Sequence, residues 1–105
     1  MPPRWTFITS HGSVLILIAR HKQITARELA TILGLAERSV LRIIKELEQE
    51  GYIKKTKIGR RNHYEIVYEQ PMRRPEMHHV QVGELIRLLE PTVLPRAQKI
   101  GAMAK

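Results

Sequence analysis

Positive and amide side chains recur on one side of the segment between residues 37 and 50. A helix turns by about 100° per residue, so with Val40 at 0° the residues Arg38, Arg42, Lys45 and Gln49 fall between about 140° and 200°. The apolar residues of the segment fall within about 60° of Val40: they are Ile43, Ile44 and Leu47. Arginine pairs bidentately with guanine, and glutamine does so with adenine. The pattern therefore predicts a helix that reads base edges in the major groove of DNA.

Glu37 and Ser39, at the start of this helix, extend the predicted contact with DNA. The first half of a recognition helix enters the groove, which favours Arg38, Ser39 and Arg42. Glu37 can accept a hydrogen bond from cytosine, or it can simply stabilise the positive N-terminus of the helix. A solvated charged face is the alternative interpretation of the whole stripe. The acids Glu46, Glu48 and Glu50 lie at the far end, which leaves the groove-proximal part positive.

A second basic cluster follows between Ile53 and Tyr64, where the sequence contains no acid. Lysines on an edge hairpin often serve only to prevent strand-to-strand aggregation, and this explains Lys54 and Lys55. Arg60, Arg61 and Asn62 crowd like charges onto the expected tip of a hairpin. Contact with phosphates, or insertion into a narrow minor groove, makes such crowding favourable. The predicted contacts of this hairpin are Lys54, Lys55, Lys57, Arg60, Arg61 and Asn62.

The remaining chemistry-bearing residues form no catalytic pattern. The sequence has no cysteine and no aspartate, and it carries no phosphate-binding glycine loop or zinc-protease motif. His78 and His79 are adjacent and would project in different directions on a helix, so a histidine metal site with His11 or His63 is disfavoured. We predict no enzyme activity, no cofactor and no metal.

The charge of the chain agrees with a polyanionic partner. Lys and Arg number 18 against 10 acidic residues in 105, a formal net charge of +8. Phosphate contacts release condensed counterions, which favours binding of such a chain to nucleic acid. No apolar run is long enough to span a bilayer, and no signal-peptide pattern occurs at the start. These features predict a cytoplasmic protein that binds double-stranded DNA and no membrane.

The elements that must position these residues can be located from caps and periodicity. Helices are predicted over 10–21, 26–33 and 37–50, the second with a Thr25–Glu28 capping box and an end at Gly34. The predicted buried face of the second helix is Leu29, Ile32 and Leu33. A hairpin follows, with strands at 52–58 and 63–67 around a tip at 59–62. The fold class is mostly α with a β-hairpin wing: a winged helix-turn-helix domain over residues 1–70.

The rest of the chain divides into a connector over 71–76, a helix over 77–90 and a tail over 91–105. Pro71 and Pro75 are expected to exclude regular structure from the connector. The helix carries an apolar stripe, which predicts a dimerisation surface or, alternatively, packing on the helix's own domain. The stripe consists of Val82, Leu85, Ile86 and Leu89. At the other end of the chain, Trp5 and Phe7 are expected to anchor the N-terminal segment to the core.

Several segments together resemble small prokaryotic winged-helix regulators of the ArsR/MarR type. They are Trp5 to Thr9, Glu37 to Val40 with Arg42 to Ile44, Leu47-Glu48 with Glu50 to Tyr52, Ile58 to Asn62, His78-His79 and Val82 to Leu85. The resemblance, which covers residues 5–90, implies a homodimeric DNA-binding repressor or activator that uses the third helix and the wing. Two departures stand out: the chain lacks the cysteines of metal-sensing relatives, and Ala36 replaces a capping Ser or Thr.

These features favour one of three possible functions. A sequence-specific DNA-binding transcriptional regulator acting as a homodimer, with no particular effector predicted, is favoured. A winged-helix module for protein–protein interaction within a larger assembly is the alternative. RNA binding is disfavoured because the major groove of A-form RNA is too narrow for a helix.

Overall fold

The computed structural model describes residues 4–90, so the predicted tail over 91–105 lies outside the described residues. The order of elements is α1 (Ser10–Arg20), α2 (Ala26–Leu33), α3 (Glu37–Gln49), β1 (Ile53–Ile58), β2 (Arg61–Ile66) and α4 (Val82–Leu89). A short 3₁₀ turn, Pro75–Met77, precedes α4. The predicted class, three helices with a β-hairpin wing and an added C-terminal helix, is confirmed.

The first two helices begin where their caps predict. The Thr9 side chain accepts a hydrogen bond from the Gly12 N–H at the start of α1. At α2, the Thr25 hydroxyl accepts from the Glu28 N–H (3.1 Å), and the Glu28 carboxylate accepts from the Thr25 N–H (2.8 Å). These two bonds satisfy two otherwise free donors of the helix end. Ala36, at the start of α3, makes no side-chain cap, which agrees with the departure noted in the sequence.

The apolar stripe of α3 is buried as predicted. Val40, Ile43, Ile44 and Leu47 all belong to the core, where α3 packs against α1 and α2. The α1 side of this core comes from Val14, Leu15 and Ile18. Burial of this stripe fixes the rotation of α3 about its own axis, and hence the direction in which its polar residues point.

The prediction that Ile32 belongs to the buried face of α2 is wrong, because Ile32 is 58% exposed. The buried residues of this helix are Leu29 and Ala30. They are about 100° apart on the helix, so the core lies between them, and Ile32 points about 110° away from that direction.

The wing is an antiparallel pair in which Ile53 faces Ile66 and Ile58 faces Arg61. This register leaves a loop of only two residues, Gly59-Arg60, so the expected four-residue tip at 59–62 is corrected. Gly59 has φ +63°, the left-handed conformation that tight hairpin loops require and glycine adopts at low cost. The Tyr64 N–H donates to the Lys22 carbonyl (2.9 Å), which joins the wing to the segment before α2.

The predicted helix over 77–90 begins five residues later, at Val82. Residues 75–79 form a 3₁₀ helix and a turn instead, and two backbone bonds attach the residues around them to each other: the Met72 N–H donates to the Val80 carbonyl, and the Val82 N–H donates to the Gln70 carbonyl. The expectation that Pro71 and Pro75 exclude regular structure also needs correction. Pro71 takes part in an isolated β-bridge with Gln81, and Pro75 opens the 3₁₀ turn, where its missing N–H costs nothing.

Helix α4 packs on α1 of its own chain. Val82 and Ile86 are buried in the common core, so the prediction that they form a dimer surface is corrected for these two residues. Leu85 is half-buried, and Leu88 and Leu89 are exposed. Of the predicted stripe, only Leu85 and Leu89 are accessible to a partner, and Leu88 is exposed beside them.

The N-terminal aromatic residues do not anchor the chain as expected. Trp5 is 67% exposed and Phe7 is 91% exposed, and their rings meet edge to face at a centroid distance of 5.2 Å. The core is already filled by aliphatic side chains from the helices, together with Tyr52 and Tyr64. The two aromatic rings therefore contact each other at the surface.

Gly83 is the close-approach point between α4 and the chain that leaves the wing. Its N–H donates to the Tyr68 carbonyl (2.9 Å), and an added Cβ would lie 2.8 Å from that oxygen and from the Tyr68 Cβ. We expect Gly83→Ala to lower the free energy of unfolding by about 1–3 kcal/mol through overpacking. Urea denaturation checks this, with Ile32→Ala, at an exposed position of α2, as the control. Equal stability of Gly83→Ala and wild type would contradict the close contact.

Candidate nucleic-acid interface

The polar face of α3 points to solvent, opposite the buried stripe. Arg38, Arg42, Lys45 and Gln49 are all exposed. None of the ion pairs found among residues 4–90 involves Arg38, Arg42 or Lys45. The three cations are thus available to an external ligand, in the positions that the sequence predicts.

The other two residues predicted at the start of α3 differ from this group. Glu37 is exposed and faces Arg27 of α2, with 3.8 Å between its Oε1 and the arginine Nε. Ser39 is half-buried, and its backbone N–H donates to the Ala36 carbonyl. Glu37 is therefore partly neutralised by a neighbouring helix, whereas Ser39 offers only part of its surface.

An acid at the far end of α3 is turned toward α1. The Oε1 of Glu46 lies 2.7 Å from Nε2 of His11. This hydrogen bond, aided by the charges of His11, Arg42 and Arg73, lowers the pKa of Glu46 against the opposing effect of desolvation. Glu46 is engaged in a contact between helices, which lessens its repulsion of a polyanion at the outer face.

The wing presents its basic residues to solvent. Lys54, Lys55 and Lys57 are exposed along β1, and Arg60 is exposed in the two-residue loop. Asn62 is exposed on β2, opposite Lys57. The wing and the outer face of α3 thus both carry exposed cations.

Arg61 differs from Arg60 in its contacts, although the sequence predicts the same role for both. An Nη atom of Arg61 donates to the Gln23 carbonyl (3.0 Å), and it lies 4.0 Å from Oε1 of Glu28. Glu28 is the capping residue of α2, and its pKa is lowered chiefly by the hydrogen bond from the Thr25 backbone. Arg61 therefore connects the wing to the start of α2, which leaves Arg60 as the tip arginine.

Two basic residues near this connection were missed in the sequence. Lys22 and Arg27 are exposed and line one open depression, together with Arg61, His21 and His63. The capping box could have indicated them, because the residues that flank a capped helix start lie at the end of the helix that attracts anions. Lys22 and Arg27 add two cations beside the wing.

The histidines and the helices of residues 4–90 show neither a metal site nor a membrane span. Within residues 4–90, no three His, Cys, Asp or Glu side chains lie close enough together to hold a metal ion. His78 and His79 are exposed before α4. No helix in this part of the chain combines the length and apolar character needed to cross a membrane.

The fold and the exposed face of α3 define a winged helix-turn-helix domain, and a comparison with protein families agrees. Residues 10–54 match the family model described as winged helix-turn-helix DNA-binding. The match takes in α1, α2, α3 and the first two residues of β1. The winged-helix class implied by the sequence resemblance is confirmed.

Two curated relatives each match about half of the chain. An uncharacterized protein of Methanocaldococcus jannaschii is 44% identical over 59 residues, which are 55% of this chain and 13% of the relative. A riboflavin kinase of Thermococcus kodakarensis is 46% identical over 50 residues, 48% of this chain and 24% of that enzyme. The chain therefore spans about a quarter or less of the length of these relatives.

Two solved structures are also similar to the chain. One is MepR, a transcription regulator of the Staphylococcus aureus multidrug efflux pump MepA, at 23% identity and a TM-score of 0.49 over 58% of this chain and 48% of that one. The other is the zinc-dependent MarR family transcriptional regulator AdcR in its zinc-bound state. It is 24% identical, with a TM-score of 0.49 over 62% of this chain and 46% of that one.

Proposed function

We propose that the protein is a sequence-specific double-stranded DNA-binding transcriptional regulator that acts as a homodimer. Helix α3 lies in the major groove, and the wing contacts the backbone and the minor groove. The observation that carries this proposal is the exposed cationic face of α3, with Arg38, Arg42 and Lys45 free of ion pairs among residues 4–90. A regulator of this kind acts where the chromosome is, which agrees with the expected cytoplasmic location.

The side chains of α3 divide between base and backbone contacts. Arg38 and Arg42 stand one turn apart in its first half, which suits bidentate hydrogen bonds to guanine. Lys45 and Gln49 lie further along the same face and suit phosphate or a flanking base. Glu37 stabilises the N-terminus of α3 and orients Arg27.

The wing and the start of α2 supply the contacts that do not depend on sequence. Lys54, Lys55 and Lys57 contact DNA phosphates from β1, and Lys22 does so from the segment before α2. Arg60, at the end of the two-residue loop, enters the minor groove, where a narrow A·T segment attracts arginine. Asn62 supports this contact from β2.

The homodimer rests on the outer end of α4. Leu88 is 83% exposed, and it stands beside the exposed Leu89 and the half-buried Leu85. A second copy that covers these residues across a two-fold axis would place two α3 helices about one DNA turn, roughly 34 Å, apart. A palindromic site would then match the symmetry of the protein.

One observation favours the alternative, a protein-interaction module. Trp5 and Phe7 are exposed, and large exposed aromatic side chains are typical of contact surfaces. The curated relatives also carry the matched segment within much longer chains. Riboflavin kinase activity is not proposed, because the match covers 24% of that enzyme.

The first prediction concerns base recognition by Arg42. A duplex selected from a random pool should bind Arg42→Ala about 5- to 150-fold more weakly than wild type, because one bidentate base contact is lost. Fluorescence anisotropy measures this, and binding to an unrelated duplex should fall far less. Arg74→Ala removes the same charge between β2 and α4 and serves as the control. Equal losses on selected and unrelated duplexes would contradict base reading by Arg42.

The second prediction separates the two wing arginines by salt dependence. Arg60→Ala should reduce the slope of log affinity against log salt by about 0.9 per bound copy, because one phosphate-neutralising charge is lost. Arg61→Ala should leave that slope nearly unchanged and instead accelerate hydrogen exchange of the wing amides, since its contacts are to Gln23 and Glu28. Equal reductions of the slope by both variants would show that Arg61 also contacts DNA.

The third prediction concerns the oligomeric state. Light scattering after size exclusion should give the mass of two chains, and Leu88→Glu should shift the protein to one chain by placing a charge in the contact. Trp5→Ala is the matched control at the other exposed apolar surface. A monomer that binds duplex would contradict only the homodimer, whereas a monomer without duplex affinity would support the interaction module.

A further inference from the structure

One apolar side chain of α3 is not used in the core. The helix has five aliphatic residues, of which Val40, Ile43, Ile44 and Leu47 are buried. The fifth, Leu41, is 52% exposed. Isolated exposed leucines are common on protein surfaces, so exposure alone carries no meaning. The position of this leucine on α3 is what distinguishes it.

Leu41 lies at the edge of the cationic face. With Val40 at 0°, Leu41 falls at about 100°, next to Lys45 at about 140° and Arg38 at about 160°. It follows Arg38 by three residues and precedes Lys45 by four, so both are its neighbours on the helix surface. An aliphatic group is thus exposed beside two cations, one on the turn before it and one on the turn after it, in the half of α3 that enters the groove.

The major groove offers one apolar group that such a side chain can contact. Thymine alone among the four bases presents a C5-methyl group there, and apolar side chains recognise it by contact. We infer that Leu41 is a specificity-determining residue that reads the methyl group of a thymine. This inference rests on the proposed function, because it requires α3 to lie in the major groove.

The spacing of the helix also gives the position of that thymine. Residues three or four apart on a helix surface have Cβ atoms about 5–6 Å apart. Successive bases on one strand are about 3.4 Å apart along the axis. The thymine read by Leu41 therefore lies within about two base pairs of the base contacted by Arg38 or Lys45.

Replacement of thymine by deoxyuridine tests this directly, because it removes only the methyl group. In a duplex selected by the wild-type protein, each thymine of one half-site is replaced in turn and affinity is measured by anisotropy. We expect one position at which wild type binds the deoxyuridine duplex about three- to fivefold more weakly, as burial of one methyl group predicts. Leu41→Ala should bind the thymine and deoxyuridine duplexes equally at that position.

Leu41→Ala is expected to fold, and the chain offers a matched control. Alanine has the highest helix propensity and Leu41 is outside the core, so Leu41→Ala should keep its helical circular dichroism. Ile32→Ala removes a comparably exposed aliphatic side chain from α2 and should keep the wild-type discrimination. Wild type without discrimination at any thymine, or Leu41→Ala with undiminished discrimination, overturns the inference.

The result also separates this inference from the proposed function. If the protein binds the selected duplex and loses affinity in Arg42→Ala, but does not distinguish thymine from deoxyuridine, only the role of Leu41 is overturned. If no duplex is bound with sequence preference, both the proposed function and the role of Leu41 are overturned.

Discussion

Burial of one stripe of α3 is the constraint on which the rest of the structure depends. Removing a Val, Leu or Ile side chain from water contributes about 1.5–3 kcal/mol, and four such residues of α3 are buried together. The helix cannot rotate by one residue without exposing part of this stripe. Because a helix has a fixed turn per residue, the direction of Arg38 and Arg42 is determined by the core, although neither residue takes part in it.

A second set of contacts brings the basic wing to the basic segment at the start of α2. The Lys22 carbonyl accepts a hydrogen bond from the Tyr64 N–H, so the wing is attached to the segment that leads into α2. Arg61 then connects β2 to Gln23 and to the capping residue Glu28. These contacts limit how far the wing can move relative to α2. A polyanion that neutralised these exposed cations would offset the repulsion among them, so the proposed binding of DNA would favour the position in which these contacts hold the wing.

Local signals in the sequence were enough for the limits of α2, for the buried stripe of α3 and for its outer face. A capping box or a run with helical period involves residues within one or two turns, so Thr25, Glu28 and the stripe around Val40 could be read directly. The errors concern long-range contacts. The start of α4 depends on backbone bonds between Met72 and Val80, and the different roles of Arg60 and Arg61 depend on strand register. Neither feature has a periodic trace in the sequence.

The two halves of the proposed function rest on different parts of the chain. The matched family segment, residues 10–54, contains all of α3 and its supporting core but ends before the wing tip and α4. The surface proposed to recognise bases thus lies within the matched segment, whereas the exposed end of α4 lies beyond it. Val82 and Ile86 complete the core of their own chain, so a partner can add contacts only outside them. The exposed cationic face of α3 therefore forms without a partner, and in the proposed homodimer a second copy would add another such face rather than complete the first.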